Sequence, residues 1–425
     1  METLTNLEQQ LNHPRKEKRL EALRAIKAGI NNGEFPKTEA GTDVNNHIHT
    51  TYSFSPYSPS MAVYMAYRAG LYTAGIMDHD SVSGGEEFVE AAGIMGILGT
   101  VGVECRVHMT DTVLGNRRYN NPDQTGVAYM ALHGIPHQNI AKAAAFFAPY
   151  SKERDKRNRK MTDAINKIMM PFAVAIDYDK DVVPLSMQSE GGSVTERHLL
   201  YALSLRVIER LGKGQPVVDL LSKMGIALPE KIKGFLLDES NPMYDYDLLG
   251  ALKSSLVEQF YIDAEAECPK VSEVIALSKE IGAISAYAYL GDVGQSVTGD
   301  KKTQCFEDSY LEELFLFLST MGFNAVTYMP SRNTPEQLTR LRALCEEYGL
   351  FQISGEDINS PRQSFICMAQ RAPEFANLYD STMALIGHEQ AATKDISLAM
   401  FGQEAVKTRP ALADRIKYYK DCVGE

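Results

Sequence analysis

The sequence predicts an α/β protein built from βα units on a parallel sheet, interrupted by one long helical insertion. Three observations predict it. Short apolar runs recur at Thr73-Ala74-Gly75-Ile76-Met77, Leu98 to Val107, Val127 to Leu132, Ala283 to Ala286, Asn324 to Thr327 and Phe351 to Ile353. Segments with helical spacing separate most of them, which is the signature of βα units. Between about 150 and 279 the strand signal all but disappears while helical periodicity continues.

The elements follow in order. Arg15 to Ile30 carries Leu20, Leu23, Ile26 and Ile30 at helical spacing and stops near Gly33 and Pro36, so residues 1 to about 40 form a helical extension. Val44-Asn45-Asn46 opens the first strand. Ser58-Pro59 supplies an N-cap and a first-turn proline for a helix that runs to Gly70, and Ser83 to Gly93 gives the next helix. Inside the insertion, Val194 to Leu211 and Asp245 to Phe260 are helices. Ser151 to Lys160 is strongly basic but interleaved with Glu153 and Asp155, which reads as a solvated helix face. After the alternation resumes, Leu311 to Met321 and the segment from Thr334-Pro335 to Gly349 are helical, as is the chain beyond Pro373.

Composition bounds the function. The chain has 425 residues, 44% hydrophobic and 23% charged, enough to bury a sizeable core. Its formal net charge of -12 disfavours nucleic-acid polymers and anionic membranes as partners. A small anion held by a metal remains allowed. The six cysteines are scattered and read as reduced thiols. Met1 to Asn6 has no basic or apolar leader, and no run reaches membrane-spanning length, so the cytoplasm is the expected compartment. Oligomeric state is not legible.

The chemistry lies at the strand ends. His47-Ile48-His49 places two imidazoles on one face of a strand, which is half of a metal site or a hydrogen-bonded structural pair. The later strands end in Asp78-His79-Asp80, Glu104, His133 and, after Phe351 to Ile353, Ser354-Gly355-Glu356-Asp357. In a βα barrel every strand end opens onto one rim, so these side chains are expected to meet there. Imidazole with carboxylate and no thiolate suits zinc, manganese or iron. Paired ions of this kind activate water for in-line displacement at phosphorus.

Asn46-His47-Ile48-His49-Thr50, Ile76-Met77-Asp78-His79-Asp80-Ser81-Val82-Ser83-Gly84, Gly102-Val103-Glu104 and Ser354-Gly355-Glu356-Asp357 resemble, in this order, motifs of the PHP (polymerase and histidinol phosphatase) family. The resemblance covers about 45 to 135 and 280 to 365. It implies a distorted TIM-like (β/α)7 barrel over 41–150 and 280–370. The helical insertion then covers 151–279, with helical extensions over 1–40 and 371–425. It also implies phosphoesterase activity on a small phosphorylated metabolite or nucleotide. By position, His47, His49, Glu104 and Asp357 would hold a first ion, Glu104 and His133 a second, and His79 would belong to a third. The sequence departs from the pattern where Tyr287 stands for a histidine, where Asp357-Ile358-Asn359 ends in Asn359, and at Ser55. One or two divalent ions therefore fit better than three.

Tyr287 reads as a rim aromatic, a weak ligand or a general acid. Asp78 and Asp80 read as supports for His79 or its neighbours. Arg197-His198, in an insertion helix similar to one in PHP nucleotide phosphatases, is either a surface pair or a substrate contact in which Arg197 pairs with a phosphate oxygen. Arg106 and Arg362 are further candidates for anion contact. His13, His108 and His388 have no motif context and are expected at the surface, and His137 is left without a role. Gly294 to Lys301 imitates a P-loop but Asp300 breaks it, Gly212-Lys213-Gly214 is too short for a nucleotide site, and no G-x-S-x-G elbow occurs. The same rim chemistry would also serve hydrolysis of an amide or lactone, and the missing ligands leave room for a non-catalytic binding or regulatory module.

Overall fold

A computed structural model describes residues 3–293 and 304–424, so Gly294 to Lys301 lies outside the described residues. One seven-stranded sheet forms in chain order, β1 (Val44–Ile48), β2 (Thr73–His79), β3 (Leu98–His108), β4 (Val127–His133), β5 (Ile284–Ala288), β6 (Ala325–Tyr328) and β7 (Phe351–Ser354). It curls into a nearly closed, distorted TIM-like barrel. A parallel bridge between Ile48 and Ile358 closes it: the His49 N–H donates to the Ile358 carbonyl at 2.9 Å and the Ile358 N–H to the His47 carbonyl at 3.1 Å.

One strand departs from the expected parallel sheet. β4 runs antiparallel to both β3 and β5. The link from Met109 to Gly126 contains no helix, and a connection without a helical crossover returns a strand antiparallel. β4 therefore starts at the rim and ends inside. Ala131 pairs with Glu104, which puts His133 two residues deeper in the barrel than Glu104.

Strand alternation separates two apolar layers. Met77, Ala131, Ile284, Ala286, Ala325, Phe351 and Ile353 fill the barrel together with Leu385 and Met400 from the C-terminal segment. Val103, Val107, Tyr287 and Val326 face outwards into the layer beneath the surrounding helices. The insertion has its own core, built from Met161, Ile165, Leu199, Leu203, Leu248 and Leu252, and Phe54 of the barrel reaches into it.

The helix Ile140–Met169 is continuous through residue 150 and carries the chain from the barrel into the insertion. Its basic stretch is only partly a solvated face: Lys152, Lys156, Arg159 and Lys160 are exposed, but Arg154 and Arg157 are buried in ion pairs with barrel and insertion carboxylates. Spacing of three residues puts these two on the inner side of the helix. His388 also departs from its expected surface position. It is buried, with Nε2 3.1 Å from the Gly134 carbonyl and Nδ1 accepting from the Met400 N–H at 2.9 Å, because the C-terminal helix Ala376–Lys394 packs against the barrel. His13 and His108 are half-buried, with His108 Nε2 2.9 Å from the Glu265 carbonyl. Among the described residues no helix is long and apolar enough to cross a membrane.

Two ion pairs fasten the extensions, the first buried and the second half-buried. Arg19 of the helix Lys16–Asn31 grips Glu87 through Nε at 2.8 Å and Nη2 at 2.5 Å, with both side chains at most 2% exposed. Truncation of one partner leaves the other charged and unpaired. Glu87→Ala is therefore expected to cost about 3–5 kcal/mol, read by chemical denaturation. An unchanged midpoint would remove this pair from the anchors of the N-terminal helices. His137, which stands away from the metal rim, pairs with Glu389 at 2.9 Å. The hydrogen bond to Glu389 holds its pKa above the ordinary value of 6.5. A raised pKa stabilises the fold fully below the unfolded value, and that stabilisation fades as pH rises through the folded value. Wild-type protein should thus lose thermal stability relative to His137→Ala on going upward from pH 6.5. A gap between the two melting temperatures that does not narrow there counts against the coupling.

Candidate metal centre

β1 carries a bulge between Asn45 and Ile48, where the register with β2 slips. The Asn45 side chain fills the gap, accepting from the His47 N–H at 2.9 Å and donating to the Glu356 carbonyl at 3.1 Å. The bulge and the closing bridge together bring β1 beside the segment after β7. Gly355 makes that approach possible. A Cβ there would meet the His47 nitrogen at 2.7 Å and its Cβ at 2.8 Å, closer than side chains tolerate.

Four strand ends then converge. His47 Nε2 lies 3.2 Å from His49 Nε2, and His49 Nε2 lies 3.1 Å from Asp357 Oδ1. His79 Nδ1 is 3.2 Å from Glu104 Oε2, which is 3.8 Å from His47 Nε2. Two triads of potential ligand atoms result, His47–His49–Asp357 and His49–His79–Glu104. Around an ion bound at ~2.0–2.2 Å, neighbouring ligand atoms sit roughly 3.0–3.5 Å apart, so these separations suit one coordination sphere. His49 belongs to both triads but offers one free nitrogen, because its Nδ1 faces Ser53 Oγ at 3.3 Å.

The electrostatics match a site short of positive charge. Burial would raise the Asp357 carboxyl, but the hydrogen bond and charge of His49, with His47 and Arg197, hold it well below the carboxylate range. Burial would lower His49, and Asp357 raises it instead. Burial pushes Glu104 up to about 7 and, with His49 nearby, His47 down to about 4.

The remaining residues singled out in the sequence have distinct places. Asp78 does not touch His79. Its carboxylate accepts from the Thr50 N–H at 2.7 Å, the Thr50 hydroxyl at 2.6 Å and the Ser53 hydroxyl at 2.6 Å, and so fixes the loop that leads from His49. Asp80 pairs with Arg154 at 2.5 Å. His133 lies inside the barrel with Nε2 buried and unpartnered among the described residues, and burial beside His47 pushes it down to about 3. Asn359 donates from Nδ2 to Asp357 Oδ1 at 2.6 Å, and in this arrangement it orients that carboxylate.

Tyr287 is off the rim. The interior positions of β5 belong to Ile284 and Ala286, so the phenol at the intervening position points outwards against Phe323, with its hydroxyl buried and unpartnered among the described residues. His198 is likewise turned away: its Nδ1 accepts from the Thr195 N–H at 3.0 Å as a helix cap, and its ring packs edge-on against Phe54. Arg197 does overhang the site. Its guanidinium sits 5.0 Å over the Phe54 ring, its Nη2 is 3.5 Å from the Asn359 carbonyl, and its Nε is buried without a partner among the described residues. Arg106 and Arg362 are neutralised by Glu267 and Asp247.

Sequence reasoning missed three groups. Tyr129 shares the interior face of β4 with Ala131 and His133, and its ring centroid is 6.0 Å from that of His79. Burial raises its hydroxyl well above the ordinary value, so it stays a neutral donor. The period of two running back from His133 could have located it. Lys253 acts electrostatically on Asp357, and Arg332 on Glu104. Nothing in their local sequence marks these two cations.

No protein-family model and no curated protein sequence matches the chain. Among solved structures it is similar to a protein from Bifidobacterium adolescentis, provisionally described as a metal-dependent phosphoesterase. The identity is 19% and the TM-score 0.48, over 79% of this chain and 94% of the other. It is also similar to an amidohydrolase from Chromobacterium violaceum with bound sulfate and no metal, at 15% identity and a TM-score of 0.49, over 76% of this chain and 89% of the other. Both likenesses are distant.

Gly355→Ala tests the convergence without removing a donor atom. The added methyl must displace the loop carrying Asp357 from β1, so bound zinc or manganese per chain, measured by elemental analysis after reconstitution, is expected to fall by about tenfold or more. Full metal content in this variant would mean that the loop's position does not matter to the site.

Proposed function

We propose that this protein is a metal-dependent phosphoesterase of the PHP type, acting on a small phosphorylated metabolite or nucleotide. One observation carries the reading. The imidazole–carboxylate cluster lies beside Arg197, whose Nη2 is 3.5 Å from the Asn359 carbonyl and whose Nε is buried without a partner among the described residues, in a chain of net charge -12. An anionic substrate accounts for a guanidinium held there. The donor set, free of thiolate, fits one or two divalent ions such as zinc, manganese or iron.

His47, His49 and Asp357 would hold the first ion, with His79 and Glu104 beside it. A bound ion supplies an activated water at neutral pH and withdraws charge from phosphoryl oxygens. The protein's own groups do the rest. Arg197 presents a planar fork to equatorial oxygens. Asp78, acting through Ser53 and Thr50, keeps the His49 ring aimed at the centre. The Tyr129 phenol, protonated and beside His79, stands to donate a hydrogen bond to the leaving oxygen. The insertion limits substrate size by seating on the rim: the Ser193 hydroxyl donates to the His79 carbonyl at 2.6 Å, and the Ser81 hydroxyl to the Gly191 carbonyl at 2.7 Å.

The test is phosphate release from a panel of phosphomonoesters and diesters by manganese-loaded protein. Activity should vanish with a chelator and fall by roughly a thousandfold in His47→Ala. Equal rates for His47→Ala and wild type would defeat the reading. Release of a carboxylate without phosphate would move the assignment to an amide or lactone.

A further inference from the structure

Beside the metal centre lies a second cluster that the proposed chemistry does not use. Asp80, Arg106, Arg154, Arg157, Glu196 and Glu267 form one ion-pair network at the junction of barrel and insertion. Arg154 Nη2 meets Asp80 Oδ2 at 2.5 Å, and its Nε lies 3.5 Å from Glu267 Oε1. Arg157 Nε meets Glu267 Oε2 at 2.6 Å, and its Nη2 pairs with Glu196. Arg106 pairs with Glu267 and reaches Glu196 Oε1 at 3.3 Å. The three arginines and Glu267 are no more than 6% exposed.

The network is electrically neutral, with three guanidinium and three carboxylate groups. It therefore has no cation to offer a ligand. Its ends are what matter. Asp80 directly follows His79, and Glu196 directly precedes Arg197 at the start of the helix Glu196–Leu211. Arg197 itself is left out, with no carboxylate partner among the described residues and a buried Nε. A buried pair contributes little net stability against an apolar replacement, but it fixes geometry strongly because each charge has few alternatives.

We propose that this network is the joint that sets Arg197 over the metal centre, with Glu196 as the positioning residue through which it acts. The proposal rests on the functional reading above, in that Arg197 is taken to hold an anion. Loss of the Glu196 charge frees Arg157 and Arg106 to settle on Glu267 alone. The first turn of the helix is then no longer drawn against β3, and the Arg197 fork shifts off the rim.

The test titrates inorganic phosphate into the full-length, manganese-loaded protein by calorimetry, with amide exchange followed across 193–198. Glu196→Gln should weaken phosphate binding by about tenfold or more and speed exchange at 193–198, with manganese per chain unchanged. Arg197→Ala should weaken binding to a similar extent. In the Arg197→Ala background, Glu196→Gln should add less than about twofold, because Glu196 acts only through Arg197. Glu196→Asp, which keeps the charge, should fall between wild type and Glu196→Gln, and it stands in if the amide variant does not fold. A Glu196→Gln protein with unaltered phosphate affinity overturns the proposal. So does a full additive loss in the double variant, or loss of manganese together with phosphate. Wild-type protein that takes up no phosphate defeats the functional reading itself, a result separable from the others because it precedes every variant.

Discussion

Closure of the barrel between its first and last strands is the constraint from which the site follows. Two backbone hydrogen bonds join the His47–His49 segment to Ile358. They set Asp357 opposite two imidazoles that are distant from it in sequence. The bulge in β1, with the Asn45 amide spanning it, turns both histidines inwards, and Gly355 lets the chains come close enough. The candidate ligands are thus placed by main-chain geometry, which is stiffer than side-chain packing and well suited to holding donor atoms in place.

A second level of organisation surrounds that centre. Asp78 braces the loop after β1, Asn359 braces Asp357, and the ion-pair network ties the strand ends to the insertion. Asp78, Asp80, Arg154 and Arg157 among these supports are buried. Above them, Arg197 keeps a buried Nε without a partner among the described residues, and the Tyr129 ring lies 6.0 Å from that of His79.

The insertion keeps its main apolar cluster apart from the barrel, while Val271, Val274, Ile275 and Leu277 at its end join the layer around the barrel and Ala264 and Cys268 pack on Val127. Its apolar cluster is separate except for Phe54, whose ring lies under Arg197 and against His198. One aromatic side chain of the barrel thereby supports the cation that the insertion brings to the rim. Polar contacts at Ser193, Gly191 and Glu196 tie the two units together near the rim. Such contacts specify position more than they add stability.

Much of this was legible in the sequence because it is local. Period and punctuation marked all seven strands, and the alternation of strand residues put His47 and His49 on one face. The chemistry of the strand-end donors could be read in the same way. What depended on pairing across the sheet could not. The reversal of β4 sank His133 below the rim, and the phase of β5 turned Tyr287 outwards, since one residue of register exchanges the two faces of a strand. Burial of Arg154, Arg157 and His388, and the approach of Lys253 and Arg332, were likewise decided by tertiary contacts with carboxylates, carbonyls and the rim far away in the chain. The sequence by itself determined which elements form and which donor atoms are available. Only the tertiary structure decided which of them share a pocket, because that depends on strand direction, register and helix docking, and none of these is encoded within a single segment.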